Sequence, residues 1–230
     1  MRIDIWSDVV CPWCFIGKRR LEAALSTFDG DVDIRWHSFE LDPNAAKSLD
    51  MPLTDALAKK YGMPRERALQ MQTHVTQTAA EDGIEMRFDI AKTGNTLDAH
   101  RLIHFAYDSD LGDEMKERLL LAYFTQGRAI SDRDELASLA GEVGLDMAAA
   151  AAMLESDAFT EAVRADEAQA RTLGATGVPF FVIDQRYGIS GAQPAETLLR
   201  ALNQAHSESI QTAAVEAGEG CDADGCEIPN

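Results

Sequence analysis

Two close pairs of cysteines are the residues of this sequence whose type and spacing best suit covalent chemistry. Cys11 and Cys14 enclose Pro-Trp in the stretch SDVVCPWCFIG, and Cys221 and Cys226 stand in CDADGC near the end of the chain. Where thiols are kept reduced, structural disulfides are rare, so paired cysteines indicate redox chemistry or metal binding rather than covalent crosslinks.

The elements around Cys11 and Cys14 favour redox chemistry. The stretch RIDIWSDVV alternates like a strand, and apolar residues then recur at helical spacing from Cys14 until Gly30. Cys11 therefore falls at the predicted N-cap and Pro12 at the first helical position. Free N–H groups and the helix dipole are expected to lower the pKa of the Cys11 thiol. Cys11 is also expected to be the exposed member of the pair, with Cys14 one turn further into the helix. We predict that Cys11 attacks a substrate disulfide, that Cys14 resolves the mixed disulfide, and that Trp13 forms the rim of the substrate groove.

Two other interpretations of the cysteines remain open. Cys11 and Cys14 can be inert buried thiols, or they can bind zinc together with Cys221 and Cys226. Four residues separate Cys221 from Cys226, and more than two hundred separate the two pairs. This spacing fits zinc less well than Pro-Trp at a strand-to-helix junction fits a redox pair, so we predict no metal.

The order of strand and helix patterns predicts an α/β fold with an insertion. Strand, helix and strand patterns occupy the first 41 residues, which predicts a parallel βαβ unit. From Pro52 to about Thr172 only helical patterns occur; strand patterns then return, and a helix begins near Pro194. We predict three parts: an α/β domain of residues 1–50 and 174–206, a helical insertion domain of residues 51–173, and an acidic tail of residues 207–230.

The composition limits the partners of this chain. Of its 230 residues, 46% are hydrophobic and 26% are charged, and the formal net charge is −18. Such an acidic chain excludes a nucleic-acid or anionic-membrane surface, because those surfaces need clustered Lys and Arg. No stretch is long and apolar enough to cross a bilayer, and the first residues lack the pattern of a signal peptide. We therefore expect a cytoplasmic protein.

Four fragments, in order, resemble the DsbA family of thioredoxin-fold proteins and in detail its FrnE-like branch: SDVVCPWCFIGKRRLE, GNTLDAHRL, GVPFFVID and SGAQP. The resemblance covers the chain to about residue 206 and implies a thioredoxin fold with a large all-helical insertion. It implies that Cys11 is the nucleophile and Cys14 the resolving thiol. It also implies that Pro179 is a cis-proline facing them and that Val178 offers backbone groups to an extended substrate.

His100 and Asn95 belong to the second of these fragments. Asn95 is the predicted N-cap of a helix whose face, by the resemblance, lies over the active site, so both residues are candidates for substrate binding. His100 can stabilise the Cys11 thiolate or move a proton there; the alternative is a histidine at a domain seam with a satisfied hydrogen bond. Cys221 and Cys226 are a candidate second redox pair, because some FrnE-like sequences carry such a pair near the C-terminus.

Three functions follow from these observations. The first is a thiol–disulfide oxidoreductase or isomerase acting on protein disulfides, without a tightly bound cofactor and with glutathione as a candidate co-substrate. The second is a glutathione-dependent isomerase or transferase acting on a small aromatic or polyketide-like substrate, similar to 2-hydroxychromene-2-carboxylate isomerase and the kappa-class glutathione transferases. Those relatives generally carry serine at the position of Cys11, which favours dithiol chemistry here. The third is a non-catalytic peptide-binding or chaperone module around Trp13 and Pro179.

Overall fold

The computed structural model describes residues 1–48 and 51–218. These residues form four strands and nine helices. In chain order they are β1 (Arg2–Ser7), α1 (Pro12–Leu25), β2 (Asp33–Ser38), α2 (Leu53–Tyr61), α3 (Arg65–Glu81), α4 (Leu97–Tyr107), α5 (Gly112–Phe124), α6 (Arg133–Glu142), α7 (Met147–Leu154), α8 (Thr160–Thr172), β3 (Phe180–Ile183), β4 (Tyr187–Ser190) and α9 (Ala195–Gly218).

The four strands form one mixed sheet in the order β2-β1-β3-β4. β1 pairs with β2 in parallel, whereas β3 runs antiparallel to both β1 and β4. In this register Ile5 lies opposite Trp36 on one side and Phe181 on the other. The predicted parallel βαβ unit is confirmed, and β1 is a central strand whose C-terminal end leads into α1.

Polar side chains set the first turns of α4 and α6. The Asp132 side chain accepts a hydrogen bond from the backbone N–H of Glu135, and α6 begins there. α4 begins one residue later than the sequence suggested, because Thr96 takes the N-cap position. The Asn95 side chain still accepts a hydrogen bond from the N–H of Leu97, at 2.9 Å. Asn95 therefore stabilises the start of α4 without being its N-cap.

The helices α2 to α8 lie between β2 and β3 in the sequence. Their core is continuous with the start of α1, because Val9, Phe15 and Ile16 pack in one cluster with buried residues of α3 to α7. A second cluster joins the sheet to α1 and α9. The residue boundaries of the predicted domains stay a prediction. Within the described part of the chain, every helix is too short or too polar to cross a membrane.

α9 differs from the predicted end of the fold. The sequence suggested an acidic tail from residue 207, whereas α9 runs from Ala195 to Gly218. Half of the residues from 207 to 218 are Ala, Glu or Gln, and proline is absent there. These residues have high helix propensity, so an acidic composition did not prevent the helix from continuing.

A histidine between two carboxylates joins β1 and β2 to α8. His37 Nε2 lies 2.7 Å from Asp4 Oδ1, and His37 Nδ1 lies 2.7 Å from Asp166 Oδ1. Asp166 also accepts from the backbone N–H of Ser38 and lies 3.1 Å from His104 Nε2 of α4. Although burial favours the neutral forms, these contacts raise the pKa of His37 and lower the pKa of Asp166.

The His37 contacts are expected to make stability depend on pH. Because the folded-state pKa of His37 lies above its ordinary value of 6.5, its contribution is complete below that pH and is lost as the pH rises through the folded pKa. At about pH 6 we expect His37→Gln to lower the free energy of unfolding by about 2 kcal/mol. The loss should shrink at higher pH, as measured by chemical denaturation over a pH series. His74→Gln, on the exposed face of α3, is the control; an equal loss at every pH for His37→Gln would contradict the prediction.

Candidate active site

Cys11 and Cys14 lie at the junction of β1 and α1. Cys11 is the N-cap of α1 and Pro12 its first residue, as predicted. The backbone N–H of Cys14 donates to the Cys11 carbonyl at 3.0 Å, so Cys14 lies one turn into the helix. Both side chains are free thiols. Local sequence therefore places both sulfurs at the same helix end.

The loop before β3 meets this helix end. Cys11 Sγ lies 3.5 Å from the carbonyl oxygen of Val178, which precedes Pro179 in a cis peptide bond. The Pro179 ring also packs against Gly17, where an added Cβ would lie only 2.9 Å from Pro179 Cγ. Only glycine allows this approach. The structure thus brings together Cys11, Val178 and Pro179, which sequence analysis assigned to one site.

The two sulfurs are less accessible than the sequence suggested. Only 4% of Cys11 is exposed and Cys14 is fully buried, whereas Trp13 between them is 36% exposed and Pro12 is half-buried. The prediction that Cys11 is exposed is wrong, because the Val178 carbonyl lies against its sulfur. Within the motif, the surface open to solvent is therefore formed by the Trp13 ring and part of Pro12.

The pKa values of the two thiols are shifted in opposite directions. The pKa of Cys11 is raised, first by its hydrogen bond with Cys14 and then by burial. Burial opposes ionisation of Cys14, yet the pKa of Cys14 is lowered, because Cys11, Lys116 and Ser7 all favour its thiolate. The pKa of Cys11 moves opposite to the predicted direction: its side chain makes no N-cap hydrogen bond, and the second thiol and burial outweigh the backbone N–H of Cys14, which favours the thiolate. In the reduced pair the thiolate is therefore more stable at Cys14 than at Cys11.

A buried carboxylate and a buried histidine lie next to the pair. Asp8 Oδ1 lies 3.2 Å from His100 Nε2, and Asp8 Oδ2 accepts from the backbone N–H of Leu41 at 2.8 Å. Burial opposes ionisation of Asp8, but these partners lower its pKa. In the described part of the chain, His100 therefore bonds to Asp8 and not to a cysteine. This agrees with the alternative of a histidine at a domain seam with a satisfied hydrogen bond. A role of His100 in substrate binding stays a prediction.

Three residues of this site were not identified from the sequence: Ser7, Asp8 and Lys116. Ser7 and Asp8 directly follow the apolar part of β1, and this polar pair before the motif was the available signal. Lys116 lies in DEMKERLLLAYF, where charged neighbours are typical of an exposed helix face. Only the packing of α5 in the core shows that Lys116 is buried.

Asn95 borders a small cavity. Its side-chain amide donates to the Pro43 carbonyl at 3.3 Å. The cavity has a volume of about 240 Å³ and is also lined by Lys47, Ser131 and Arg133. Among the described residues, no hydrogen bond joins Asn95 to the cysteine pair, so its role in substrate binding stays a prediction.

Cys221 and Cys226 lie outside the residues that the structure describes. Residues 1–48 and 51–218 contain no cluster of three or more His, Cys, Asp or Glu side chains arranged for a metal ion. The second redox pair and the zinc alternative, which both require Cys221 and Cys226, therefore stay predictions.

Comparison with known proteins agrees with this geometry. A family model described as a DSBA-like thioredoxin domain matches residues 2–203. The uncharacterised protein YwbO of Bacillus subtilis is 32% identical over 205 residues, which cover 88% of this chain and 96% of that protein. The crystal structure of a probable DsbA oxidoreductase from Streptomyces coelicolor is 39% identical, with a TM-score of 0.85 and complete coverage of both chains. The cytosolic disulfide reductase DsbM from Pseudomonas aeruginosa, solved with glutathione, is 21% identical with a TM-score of 0.59, over 93% of this chain and 100% of that chain. The predicted thioredoxin fold is confirmed.

Removal of Cys14 is expected to make Cys11 more reactive at neutral pH. The hydrogen bond with Cys14 is the largest cause of the raised pKa of Cys11, so Cys14→Ala should lower that pKa and increase the thiolate fraction. We expect iodoacetamide to alkylate Cys11 several-fold faster in the variant, measured for each cysteine by peptide mass spectrometry. Equal or slower alkylation would show that the second thiol does not control Cys11.

Gly17→Ala and Gly141→Ala form a matched pair of substitutions within helices. A Cβ at Gly17 would overlap the Pro179 ring, so we expect a loss of about 1–3 kcal/mol in the free energy of unfolding. A Cβ at the exposed Gly141 would make an ordinary contact of 3.7 Å with Met147, so we expect a gain of about 0.5–1 kcal/mol. Chemical denaturation measures both values; a stabilising Gly17→Ala would contradict the close contact with Pro179.

Proposed function

Because this chain belongs to the DSBA-like thioredoxin domain family, we propose that it is a thiol–disulfide oxidoreductase that acts on protein disulfides through Cys11 and Cys14. The observation that carries the proposal is the position of Cys11 Sγ, 3.5 Å from the Val178 carbonyl and at the start of the helix that holds Cys14. A nucleophile, a resolving thiol and a backbone segment for docking are thereby within reach of one substrate disulfide.

The first half-reaction uses Cys11. An extended substrate segment pairs with the backbone at Val178, beside the exposed Trp13 ring, and presents its disulfide to Cys11. As Cys11 Sγ attacks one substrate sulfur, its proton passes to the Cys14 thiolate through the hydrogen bond between the two side chains. The substrate S–S bond breaks, and a mixed disulfide with Cys11 forms. The other substrate sulfur leaves as a thiolate and takes a proton from solvent.

The second half-reaction uses Cys14. This thiol loses its proton, and its sulfur attacks Cys11 Sγ in the mixed disulfide. The bond between Cys11 and the substrate breaks, and the second substrate sulfur leaves with the bonding electron pair. Two electrons have then moved from the protein to the substrate, which is reduced to two thiols, while Cys11 and Cys14 are oxidised to a disulfide. The same steps in reverse oxidise a substrate dithiol.

Glutathione is the reductant that we propose returns the pair to the dithiol, in the cytoplasm. Support comes from DsbM, a cytosolic disulfide reductase of the same fold whose structure was solved with glutathione. Exchange of two glutathione thiols with the disulfide of Cys11 and Cys14 is itself a thiol–disulfide exchange, so the cycle needs no tightly bound cofactor.

Single cysteine variants separate the two half-reactions. With glutathione as reductant, we expect Cys11→Ser to lower the rate of insulin reduction by at least about 100-fold, because the nucleophile is lost. Cys14→Ser should also lose turnover but should accumulate a mixed disulfide at Cys11, detected by intact-protein mass spectrometry. Undiminished turnover by the Cys11→Ser variant would rule out the proposed function.

The other candidate functions give different results in the same variants. Turnover of a chromene carboxylate with glutathione would support a small-molecule isomerase. Suppression of protein aggregation that survives the loss of both Cys11 and Cys14 would support a binding module.

A further inference from the structure

Helix α8 leads directly into the loop that lies against Cys11. This loop, residues 173–179, is called the Val178 loop, and it follows the last residue of α8, Thr172. The backbone N–H of Ala175 in the loop donates to the carbonyl of Ala170 in α8 at 2.9 Å. The start of the loop is thus bonded to the last turn of α8, and its end places the Val178 carbonyl 3.5 Å from Cys11 Sγ. The position of α8 therefore affects the position of Val178.

Asp166 holds α8 against β1, β2 and α4. Its Oδ1 lies 2.7 Å from His37 Nδ1, and its Oδ2 accepts from the backbone N–H of Ser38 at 2.8 Å. The same Oδ2 lies 3.1 Å from His104 Nε2. The Asp166 carbonyl also accepts from Trp6 Nε1 at 2.9 Å. One buried residue of α8 thus contacts three other elements of the fold.

His37 bonds to a carboxylate through each of its ring nitrogens. Besides the contact of Nδ1 with Asp166, His37 Nε2 lies 2.7 Å from Asp4 Oδ1. These three side chains are called the His37 bridge. A neutral imidazole carries one N–H and one lone pair, so only the charged imidazolium donates to two carboxylates at once. Burial opposes this charge, but Asp166 and Asp4 together raise the pKa of His37 above 6.5. Loss of the charge therefore weakens one of the two contacts.

Other charged groups lie around the His37 bridge. Arg2 forms an ion pair with Asp4 at 2.8 Å, and Arg164 of α8 forms one with Glu40 at 2.5 Å. The cavity that His37 borders is also lined by Asp33, Arg35, Tyr107, Asp110, Asp113 and Glu114. Among residues 1–48 and 51–218, the carboxylates within ion-pair distance of His37 are the two of the bridge. Because the pair of Arg164 with Glu40 does not involve His37, loss of the His37 charge is expected to shift α8 rather than release it.

Apolar contacts connect the His37 bridge to Val178. The His37 ring stacks on the Trp6 ring, with 4.5 Å between the ring centres and 14° between the planes. Trp6 is buried in a cluster with Ala170 of α8 and Phe180 of β3, and Val178 packs against this cluster. A continuous series of packed side chains thus joins His37 to the Val178 loop.

We propose that His37 is a positioning residue, which holds α8 and hence the Val178 loop in the place where a protein disulfide docks at Cys11. The inference rests on the proposed function, because it concerns the docking of that substrate. When His37 is charged, both contacts of the bridge form. When it is neutral, one contact weakens, α8 shifts, and the loop pairs less well with an extended substrate. The two sulfurs are held by α1 and keep their reactivity towards a small disulfide.

Two disulfides separate docking from reaction at Cys11. Insulin presents a protein disulfide, whereas dithiodipyridine is small and uncharged and has no backbone to pair with the loop. The reduced full-length chain, with Cys221→Ala and Cys226→Ala as a common background, is mixed with each disulfide, and the second-order rate constant is measured in a single turnover. At about pH 6 we expect His37→Gln to lower the rate constant with insulin about 10-fold and that with dithiodipyridine less than about twofold.

The pH dependence separates a positioning role from a general loss of stability. In the parent, the ratio of the insulin to the dithiodipyridine rate constant should fall as His37 loses its proton, since ionisation of Cys11 affects both rate constants. In His37→Gln the ratio should be low at every pH. Leu139→Val is the control, because it removes buried apolar contacts of α6 outside the bridge, and it should keep the parent ratio. A parent-like ratio in His37→Gln, or an equal fall in Leu139→Val, would overturn the inference.

Isotope-labelled NMR tests the inference without a substitution at His37. In the reduced full-length chain the His37 ring should be an imidazolium at about pH 6. The backbone amide signal of Val178 should then shift with the same midpoint as the titration of His37. The inference is wrong if the ring is neutral at that pH or if the Val178 signal does not follow it. Failure of the proposed function gives a different result: the parent does not reduce insulin, and the NMR titration still tests the link between His37 and the loop.

Discussion

The antiparallel pairing of β1 with β3 is the constraint on which the candidate active site depends. It places Trp6 opposite Phe180 and so brings the Val178 loop to the end of β1. Val178 lies 167 residues after Cys11 in the sequence, and helices α2 to α8 occupy most of that separation. The conformational entropy lost in closing this long segment is offset by burial of the strands in the sheet core. The helix end supplies the two thiols, but the strand pairing supplies the backbone carbonyl that lies against Cys11 Sγ.

The helical insertion contributes chemistry to the site as well as core. α4 carries His100, which bonds to Asp8, and α5 carries Lys116, which favours the Cys14 thiolate. These groups are buried, and charges interact more strongly in the protein interior than in water. Of the two, Lys116 acts directly on the Cys14 thiol, although it belongs to an inserted helix. The protonation of the cysteine pair depends first on the two thiols themselves and on their burial, and also on Lys116, which is distant from the motif in sequence.

Sequence patterns predicted those features of the site that depend on adjacent residues. The N-cap position of Cys11 followed from Pro12, and the parallel strand pair followed from the alternation of apolar residues; both are confirmed. The pKa of Cys11 was predicted in the wrong direction, because it depends on burial and on the second thiol. Lys116 was missed because charged residues flank it in sequence, whereas its burial depends on how α5 packs in the core. The end of α9 was predicted too early, because the acidic composition was given more weight than the helix propensity of the residues there.

The buried charges near the pair also affect which redox state is favoured. A positive charge near Cys14 stabilises its thiolate and hence the reduced pair, which makes the disulfide a stronger oxidant; a negative charge near it has the opposite effect. Asp8 is such a negative charge, but its contacts with His100 and with the Leu41 N–H disperse part of that charge. Lys116 acts on Cys14 with less compensation, which agrees with the lowered pKa of this thiol. One of the charges that favour the Cys14 thiolate therefore comes from the inserted helices rather than from the motif.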